Sequence, residues 1–188
     1  LSLTAVSNLF RRHGLTVFDV EQLSTHGGSL RVWAQRADTG TRTEGDVVAA
    51  ILREEEDAGI TTASGLSDFA AQVRRIKFDS LRFLIERAEA GDTIAGYGAA
   101  AKGNTFLNYC GIGPELISFV VDRNPEKQGR FLPGSRIPVY SPEKIEDVRP
   151  DWVVILPWNL RDEISAQLAQ IRDWGGKFVT FIPETNIF

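Results

Sequence analysis

The second half of the chain alternates between short apolar runs and longer amphipathic segments. Apolar runs of this kind are typical of parallel strands that helices cover on both faces of a sheet. Their alternation with helices predicts an α/β fold with a mostly parallel sheet. Five strands are predicted, at Thr93–Gly96, Leu116–Val121, Arg136–Val139, Trp152–Leu156 and Phe178–Ile182. Helices are predicted from Ala101, after Ser141 as a capping residue, and over Asn159–Trp174.

Before residue 92 the sequence predicts a small mixed segment and then a helical connector. A helix over Leu3–Arg12 and strands over Leu15–Val20 and Leu30–Arg36 form a set too small to bury its own apolar faces. A polar stretch, a short helix near 47–56 and a long helix over about Ser67–Ala90 follow. The expected parts are 1–40, the last helix and two strands of a truncated domain; 41–91, a helical connector; and 92–188, the α/β domain.

A glycine-rich turn separates the first strand of the α/β domain from its helix. Gly96, Gly98 and Ala101 fit the spacing G-x-G-x-x-A of dinucleotide-binding turns, in which the backbone approaches a phosphate at a helix N-terminus. Lys102 lies in the first helical turn, where a cation is unfavourable by about 0.3–1 kcal/mol unless an anion binds there. The turn therefore predicts a Rossmann-like domain that binds a phosphate. The alternative is a small-residue turn that packs helix on strand, with Lys102 in solvent.

Further polar residues surround this turn. Asp122 lies 24 residues after Gly98, where dinucleotide-binding folds place an acidic residue on a ribose hydroxyl. The Arg-Asn-Pro sequence that follows it is equally typical of a turn that Asp122 would cap. Lys127 and Arg130 in the next loop are candidates for phosphate or sugar contacts, with solvated surface as the alternative. Asn104, one position after the third glycine, would lie near a bound diphosphate.

Two other segments carry candidate ligand contacts. Trp158 and Asn159 follow a parallel strand, at the edge of the sheet where ligands bind, and Trp158 is suited to stacking on a base or sugar. The favoured interpretation of Asn159 is the N-cap of a helix, with Asp162 at its third position. The segment His26-Gly27-Gly28-Ser29 is either a hairpin turn or a loop whose histidine reaches a ligand.

Composition excludes several classes of protein. Acidic residues exceed basic ones, 25 to 21, and no basic stripe is visible, which argues against a nucleic-acid partner. No apolar run approaches the ~20 residues that a membrane helix needs, so no membrane partner is expected. Cys110 is the only cysteine, which excludes internal disulfides and cysteine-based zinc sites and suits a cytoplasmic location. No metal site is expected, and the sequence leaves a homo-oligomer open.

Six segments distinguish this sequence: Phe18-Asp19-Val20-Glu21, Thr25-His26-Gly27-Gly28-Ser29-Leu30-Arg31, Gly96-Tyr97-Gly98-Ala99-Ala100-Ala101-Lys102-Gly103-Asn104-Thr105, Val121-Asp122-Arg123-Asn124-Pro125, Lys127-Gln128-Gly129-Arg130 and Pro157-Trp158-Asn159. Together they resemble the C-terminal region of the S-adenosylmethionine-dependent sugar-nucleotide C-methyltransferases. The similarity covers nearly the whole chain. The combination of motifs is specific, although each glycine motif alone is not.

The resemblance implies enzymes that methylate C3 of a keto-deoxysugar carried on a nucleoside diphosphate, usually dTDP. In this family a small zinc-binding domain and a methyltransferase domain precede a Rossmann-like C-terminal domain. The S-adenosylmethionine site and a Tyr-x-Glu-His segment with the acid/base residues would both lie before Leu1. The chain alone is therefore expected to bind no cofactor and to be inactive without its partner, the N-terminal methyltransferase domain. Within the chain only His26 is a candidate catalytic residue.

This region is expected to bind and position the sugar nucleotide. The expected substrate-binding residues are Gly96, Gly98, Lys102, Asn104, Asp122, Lys127, Arg130, Trp158 and Asn159. Two alternatives belong to other classes of protein. One is an NAD(P)-binding oxidoreductase domain that uses the same glycine turn, although no Tyr-x-x-x-Lys or Cys/His pair accompanies it. The other is a non-catalytic sugar-nucleotide-binding domain.

Overall fold

The structure, a computed structural model, describes all 188 residues of the chain. Its internal contacts divide the chain into two units, Leu1–Gln72 and Val73–Phe188. The boundary between them falls inside the long helix that the sequence predicts. The division into parts at residues 40 and 91 stays a prediction.

The unit Leu1–Gln72 is built on a two-stranded hairpin. Its elements are α1 (Leu3–Arg12), β1 (Leu15–Leu23), β2 (Ser29–Arg36) and α2 (Asp46–Asp57), which confirms the predicted helices and strands. The strands pair antiparallel, with a bulge between Val17 and Asp19. Val48 and Ile51 of α2 are buried with Leu3, Val17 and Val20. The helix expected as a connector therefore supplies the apolar cover that the hairpin and α1 lack by themselves.

The long helix α3 spans Ala63–Glu89. Its second half packs on the sheet of the unit Val73–Phe188 through buried Leu84 and partly buried Phe83, whose ring meets Trp152 edge-on at 5.0 Å between centroids. Ser80 is fully buried in this helix, and its hydroxyl donates to the Ile76 carbonyl at 2.7 Å. No helix of the chain combines the length and the apolar character needed to cross a membrane.

A six-stranded sheet forms the centre of the second unit, in the order β5-β4-β3-β6-β7-β8. All neighbouring strands pair parallel except β7 and β8, which pair antiparallel. The strands are β3 (Ile94–Tyr97), β4 (Phe119–Val121), β5 (Val139–Tyr140), β6 (Trp152–Ile155), β7 (Lys177–Thr180) and β8 (Asn186–Ile187). The mostly parallel α/β sheet is confirmed, and β8 is an addition that the sequence did not indicate.

Helices cover both faces of this sheet, as predicted. The helices of this unit after α3 are α4 (Ala101–Cys110), α5 (Lys144–Val148) and α6 (Arg161–Gln167). Leu107 of α4 and Leu84 of α3 belong to the apolar core on one face. Ile145 of α5 and Ile164 of α6 belong to the core on the other. All side chains of β3, β4 and β6 are therefore buried on either face, which explains their nearly continuous apolar runs.

Three local predictions are wrong. The strand predicted over Arg136–Val139 begins only at Val139, because Arg136 has φ +59° in a tight turn closed by its N–H to the Leu132 carbonyl. Ser141 does not cap α5, since the N-cap position is Glu143 and no side chain caps that helix. The single helix predicted over Asn159–Trp174 is a 3₁₀ turn, then α6, then a second 3₁₀ segment over Ala169–Trp174. Leu168 breaks the helix with φ −108° and ψ 26°, and it is buried.

Candidate functional site

The candidate site lies where the order of the sheet reverses. From β3 the chain runs outward through β4 and β5, whereas β6, β7 and β8 lie on the other side of β3. The glycine turn follows β3, and Pro157-Trp158-Asn159 follows β6, so both segments leave adjacent strands at their carboxyl ends. Ligands of open α/β sheets bind in the crevice at this position.

The glycines of the turn are required by packing. A Cβ on Gly96 would lie 2.8 Å from Val120 Cγ2, and one on Gly103 would lie 2.7 Å from Leu156 Cβ. Gly98 has φ +92°, and a Cβ there would lie 2.6 Å from Pro157 Cδ. These contacts support the interpretation of the turn as a close packing of helix on strand. A ligand contact by Gly96 or Gly98 stays a prediction.

We expect Gly98→Ala to destabilise the second unit by about 2 kcal/mol, because it adds left-handed backbone strain and a collision with Pro157. Gly175→Ala is the matched control, since Gly175 has φ +84° and nothing within 4 Å of its built Cβ. Urea unfolding should show that Gly98→Ala lowers stability by about 1 kcal/mol more than the control does. Equal losses in the two variants would contradict the collision.

The N-terminus of α4 has free hydrogen-bond donors. The N-cap position is Ala100, and no side chain caps the helix. The N–H groups of Ala101, Lys102 and Gly103 have no acceptor within the protein. Asn104 adds a further polar group, because its Oδ1 is buried and has no hydrogen-bond partner. Uncapped N–H groups and the helix dipole together favour a bound anion.

Lys102, Trp158 and Asn159 come together beside these donors. The Lys102 ammonium donates to Asn159 Oδ1 and lies over the Trp158 ring, 4.8 Å from its centroid. Lys102 forms no ion pair with any carboxylate of the chain, so its charge is uncompensated. The predicted N-cap role of Asn159 is wrong: α6 begins at Arg161, and its N-cap position is Leu160. Asn159 instead joins the segment after β6 to the helix after β3.

The Asp122 carboxylate is used within the protein. Its Oδ2 accepts from the Ala99 N–H at 2.7 Å and from Lys127 Nζ at 3.1 Å, and its Oδ1 accepts from the Asn124 N–H at 2.8 Å. Lys127 Nζ also donates to the Ala99 carbonyl at 2.9 Å. Asp122 therefore does more than cap a turn after its own strand, because it also holds the glycine turn of the neighbouring strand.

Two other predicted residues stand apart from this group. Arg130 is exposed and makes no side-chain hydrogen bond or ion pair. His26 belongs to the unit Leu1–Gln72, where it has φ +58° in a short 3₁₀ turn and is exposed. The structure therefore gathers Lys102, Asn104, Trp158 and Asn159 near the α4 N-terminus, and Asp122 and Lys127 around Ala99.

The crevice contains residues that the sequence analysis did not identify. Tyr97, Arg123 and Glu163 line an opening of about 270 Å³ together with Gly98 and Asp122. Burial raises the pKa of the Tyr97 hydroxyl, although the nearby Arg123 guanidinium acts in the opposite direction. The sequence could have identified two of these residues, because Tyr97 lies between two glycines of the turn and Arg123 directly follows Asp122. Glu163 lies on α6 and comes near only through the fold.

A second opening of about 350 Å³ lies between α3 and α4. Its lining is mainly apolar, with Ile76, Phe106 and Tyr109 among its walls and Lys102 and Trp158 at one end. Burial raises the pKa of the Cys110 thiol in this lining to about 11, so the thiol is protonated at neutral pH and is a poor nucleophile. Nowhere in the chain do three potential metal-ligating side chains of His, Cys, Asp or Glu come together.

Comparison with known proteins identifies the family. The family profile described as the C-methyltransferase C-terminal domain matches residues 24–183. The C-methyltransferase NovU of Streptomyces niveus is 38% identical over 187 residues, which is 99% of this chain and 44% of that protein. The chain thus spans less than half the length of this curated relative. It belongs to the C-methyltransferase family and carries the C-terminal domain of that family.

Proposed function

We propose that this chain is the part of an S-adenosylmethionine-dependent C-methyltransferase that binds and positions a nucleotide-linked keto-deoxysugar, with dTDP as the nucleotide. The observation that carries the proposal is the uncapped N-terminus of α4 beside the uncompensated charge of Lys102, at the reversal point of the sheet. Donors and a cation in this arrangement suit a diphosphate. The proposal includes a cytoplasmic location, since the one cysteine is free.

The residues have separate roles in this proposal. The N–H groups of Ala101–Gly103 donate to the diphosphate, and Lys102 neutralises its charge. Asn159 holds the Lys102 side chain beside the segment that follows β6, where the ammonium lies over the Trp158 ring. The Trp158 ring, already beneath the ammonium, offers a flat surface to a sugar or base.

The residues of this chain do not fit S-adenosylmethionine. A carboxylate at the end of the second strand is needed to accept from ribose hydroxyls, and the Asp122 oxygens already accept from Ala99, Asn124 and Lys127. A sugar carbon next to a carbonyl becomes nucleophilic only after a base removes its proton. The contribution of this chain is to hold the sugar where that base can reach the proton.

The same contacts of Asp122 count against an NAD-dependent oxidoreductase, which needs that carboxylate for the ribose. A non-catalytic sugar-nucleotide-binding domain would share the ligand with the proposed enzyme. It would differ in showing no methylation when joined to a methyltransferase domain of the family.

Calorimetric titration of the chain should give a micromolar dissociation constant for dTDP and no measurable heat of binding for S-adenosylhomocysteine or NADH. The reason is that the free donors at α4 suit a diphosphate, whereas the carboxylate after the second strand, Asp122, already holds the glycine turn. Micromolar binding of S-adenosylhomocysteine would contradict the assignment of the cofactor site to another part of the enzyme. Absence of dTDP binding would refute the proposed function itself.

A further inference from the structure

We propose that Asp122 and Lys127 are positioning residues that clamp the glycine turn, and that Asp122 consequently does not bind the ribose 2′-hydroxyl of a nucleoside diphosphate. This inference rests on the proposed function, because it specifies which part of the nucleotide Asp122 does not contact. It also changes the predicted role of both residues from ligand contacts to supports of the backbone.

The clamp holds one residue of the turn from both sides. The Ala99 N–H donates to Asp122 Oδ2 at 2.7 Å, and the Ala99 carbonyl accepts from Lys127 Nζ at 2.9 Å. Lys127 and Asp122 are themselves paired at 3.1 Å. The preceding N–H, that of Gly98, donates to the Val121 carbonyl at 2.7 Å, so the turn is tied to the end of β4 at two successive residues.

The clamp leaves the Asp122 carboxylate little capacity for a ligand. Its side chain is only 12% exposed, and three donors from the protein already occupy its two oxygens. Oδ2 accepts from two of these donors and Oδ1 from one, so a ribose hydroxyl could use only the remaining lone pair of the largely buried Oδ1. A ligand that took Oδ2 instead would leave Ala99 or Lys127 partly buried without a partner, which offsets the new hydrogen bond. We infer that the carboxylate stays on the turn when a nucleotide binds.

Other groups of the crevice keep free capacity for a ligand. Glu163 Oε1 accepts from Gln167 Nε2 at 2.9 Å along α6, which leaves its second oxygen without a partner in the protein. Arg123, which follows Asp122, carries donors only and can contact phosphate or a carbonyl but cannot accept from a hydroxyl. The proposed lack of a ribose contact therefore concerns Asp122 itself, and its test must separate Asp122 from these neighbours.

UDP and 2′-deoxy-UDP are the matched probes, because they differ only in the 2′-hydroxyl. Calorimetric titration of the full chain and of Asp122→Asn should give the same ratio between the two dissociation constants, within about twofold. A ratio that favours UDP at least tenfold in the full chain and falls to about one in Asp122→Asn would overturn the inference while leaving the proposed function intact. Failure of both probes and of dTDP to bind would refute the proposed function and with it a nucleoside diphosphate as the ligand.

The clamp itself is tested without a ligand, through hydrogen exchange of the Ala99 amide followed by NMR. This amide should be protected in the free chain and should stay protected when UDP is added. Rapid exchange in the free chain, or loss of protection on addition of UDP, would overturn the positioning role. The first result would remove the clamp, and the second would show that Asp122 transfers to the ligand.

Lys127→Met should speed exchange of the Ala99 amide. It should also raise the dissociation constants for UDP and 2′-deoxy-UDP by the same factor, about fivefold or more. Lys127→Arg should restore part of the protection and of the affinity, because Arg retains the donor and the charge. Lys177→Met is the control, since Lys177 starts β7 at the opposite edge of the sheet. This substitution should change neither the exchange of the Ala99 amide nor the affinity for either nucleotide. Weaker binding with an unchanged Ala99 amide would show direct contact of Lys127 with phosphate and overturn the inference.

Discussion

Lys102→Ala is expected to raise the dissociation constant for dTDP by about 10- to 150-fold and to leave the melting temperature nearly unchanged. The change removes one charge-assisted contact with the diphosphate, whose net contribution is about 1.5–3 kcal/mol. It also removes the only cation that the structure places at the α4 N-terminus without a carboxylate partner. Binding should therefore depend on this side chain far more than folding does.

The effect on stability is small because two contributions oppose each other. Loss of the ammonium from the face of Trp158 costs about 0.5–1 kcal/mol. Removal of a positive charge from the positive end of the helix stabilises the folded chain by about 0.3–1 kcal/mol. The hydrogen bond to Asn159 is also lost, but Asn159 is exposed and water can replace the donor. The melting temperature should shift by no more than a degree or two.

Lys177→Ala is the control for this variant. Lys177 also lies over a tryptophan ring, 5.4 Å from the centroid of Trp152, but at the amino ends of the strands. Titration calorimetry and thermal unfolding should show unchanged dTDP affinity in Lys177→Ala. If Lys102→Ala binds dTDP as tightly as the parent chain, the anion site lies elsewhere, and the crevice beside Tyr97 and Arg123 becomes the next candidate.

The parts of the fold that the sequence predicted correctly are those encoded by local periodicity. Apolar runs bounded by polar residues identified β3, β6 and β7 to within two residues, because both faces of each strand are buried. The glycine turn was identified because its spacing is itself the local signal. The strand β8 carries no such signal, since it is two residues long and both are exposed.

The side-chain roles were harder to predict because they depend on contacts between distant positions. Lys102 and Asn159 are 57 residues apart, and Ala99 and Asp122 are 23 apart. An asparagine before an amphipathic segment indicates an N-cap, and only the fold shows that a lysine from another helix takes its side-chain oxygen. An acidic residue after the second strand indicates a ribose contact, and only the fold shows that its oxygens face the neighbouring turn. Spacing located these residues correctly, but it could not assign their partners.

In the first unit, Glu55 makes the clearest contact between positions that are far apart in the sequence. It lies on α2 and is 9% exposed, and its carboxylate accepts from three donors at the start of α1. These are the Leu3 N–H at 2.5 Å, the Thr4 N–H at 2.8 Å and the Thr4 hydroxyl at 2.7 Å. The carboxylate thus satisfies N–H groups that a helix N-terminus leaves free, and its negative charge faces the positive end of the helix.

Glu55→Ala is expected to destabilise the unit Leu1–Gln72 by about 3 kcal/mol. Three partly buried donors would lose their acceptor, at about 1 kcal/mol or more each. Hydrogen exchange of the amides that pair β1 with β2 reports on this unit alone, and these amides should lose protection. Glu56→Ala is the control, because the neighbouring Glu56 is exposed and makes no side-chain hydrogen bond. Equal protection in the two variants would contradict the role of Glu55 in capping α1.

The same contacts make the first unit sensitive to acid. Burial alone would raise the pKa of Glu55, but the hydrogen bonds from the Thr4 side chain and from the Thr4 and Leu3 N–H groups together hold its pKa below the ordinary value of 4.5. A carboxylate with a lowered pKa in the folded state contributes stability that is fully present above its ordinary pKa and is lost as the pH falls through the folded value. Protection of the amides that pair β1 with β2 should therefore be constant above about pH 5.5 and fall below pH 4.5. In Glu55→Gln that fall should be smaller, because the amide does not titrate and keeps one acceptor oxygen for α1.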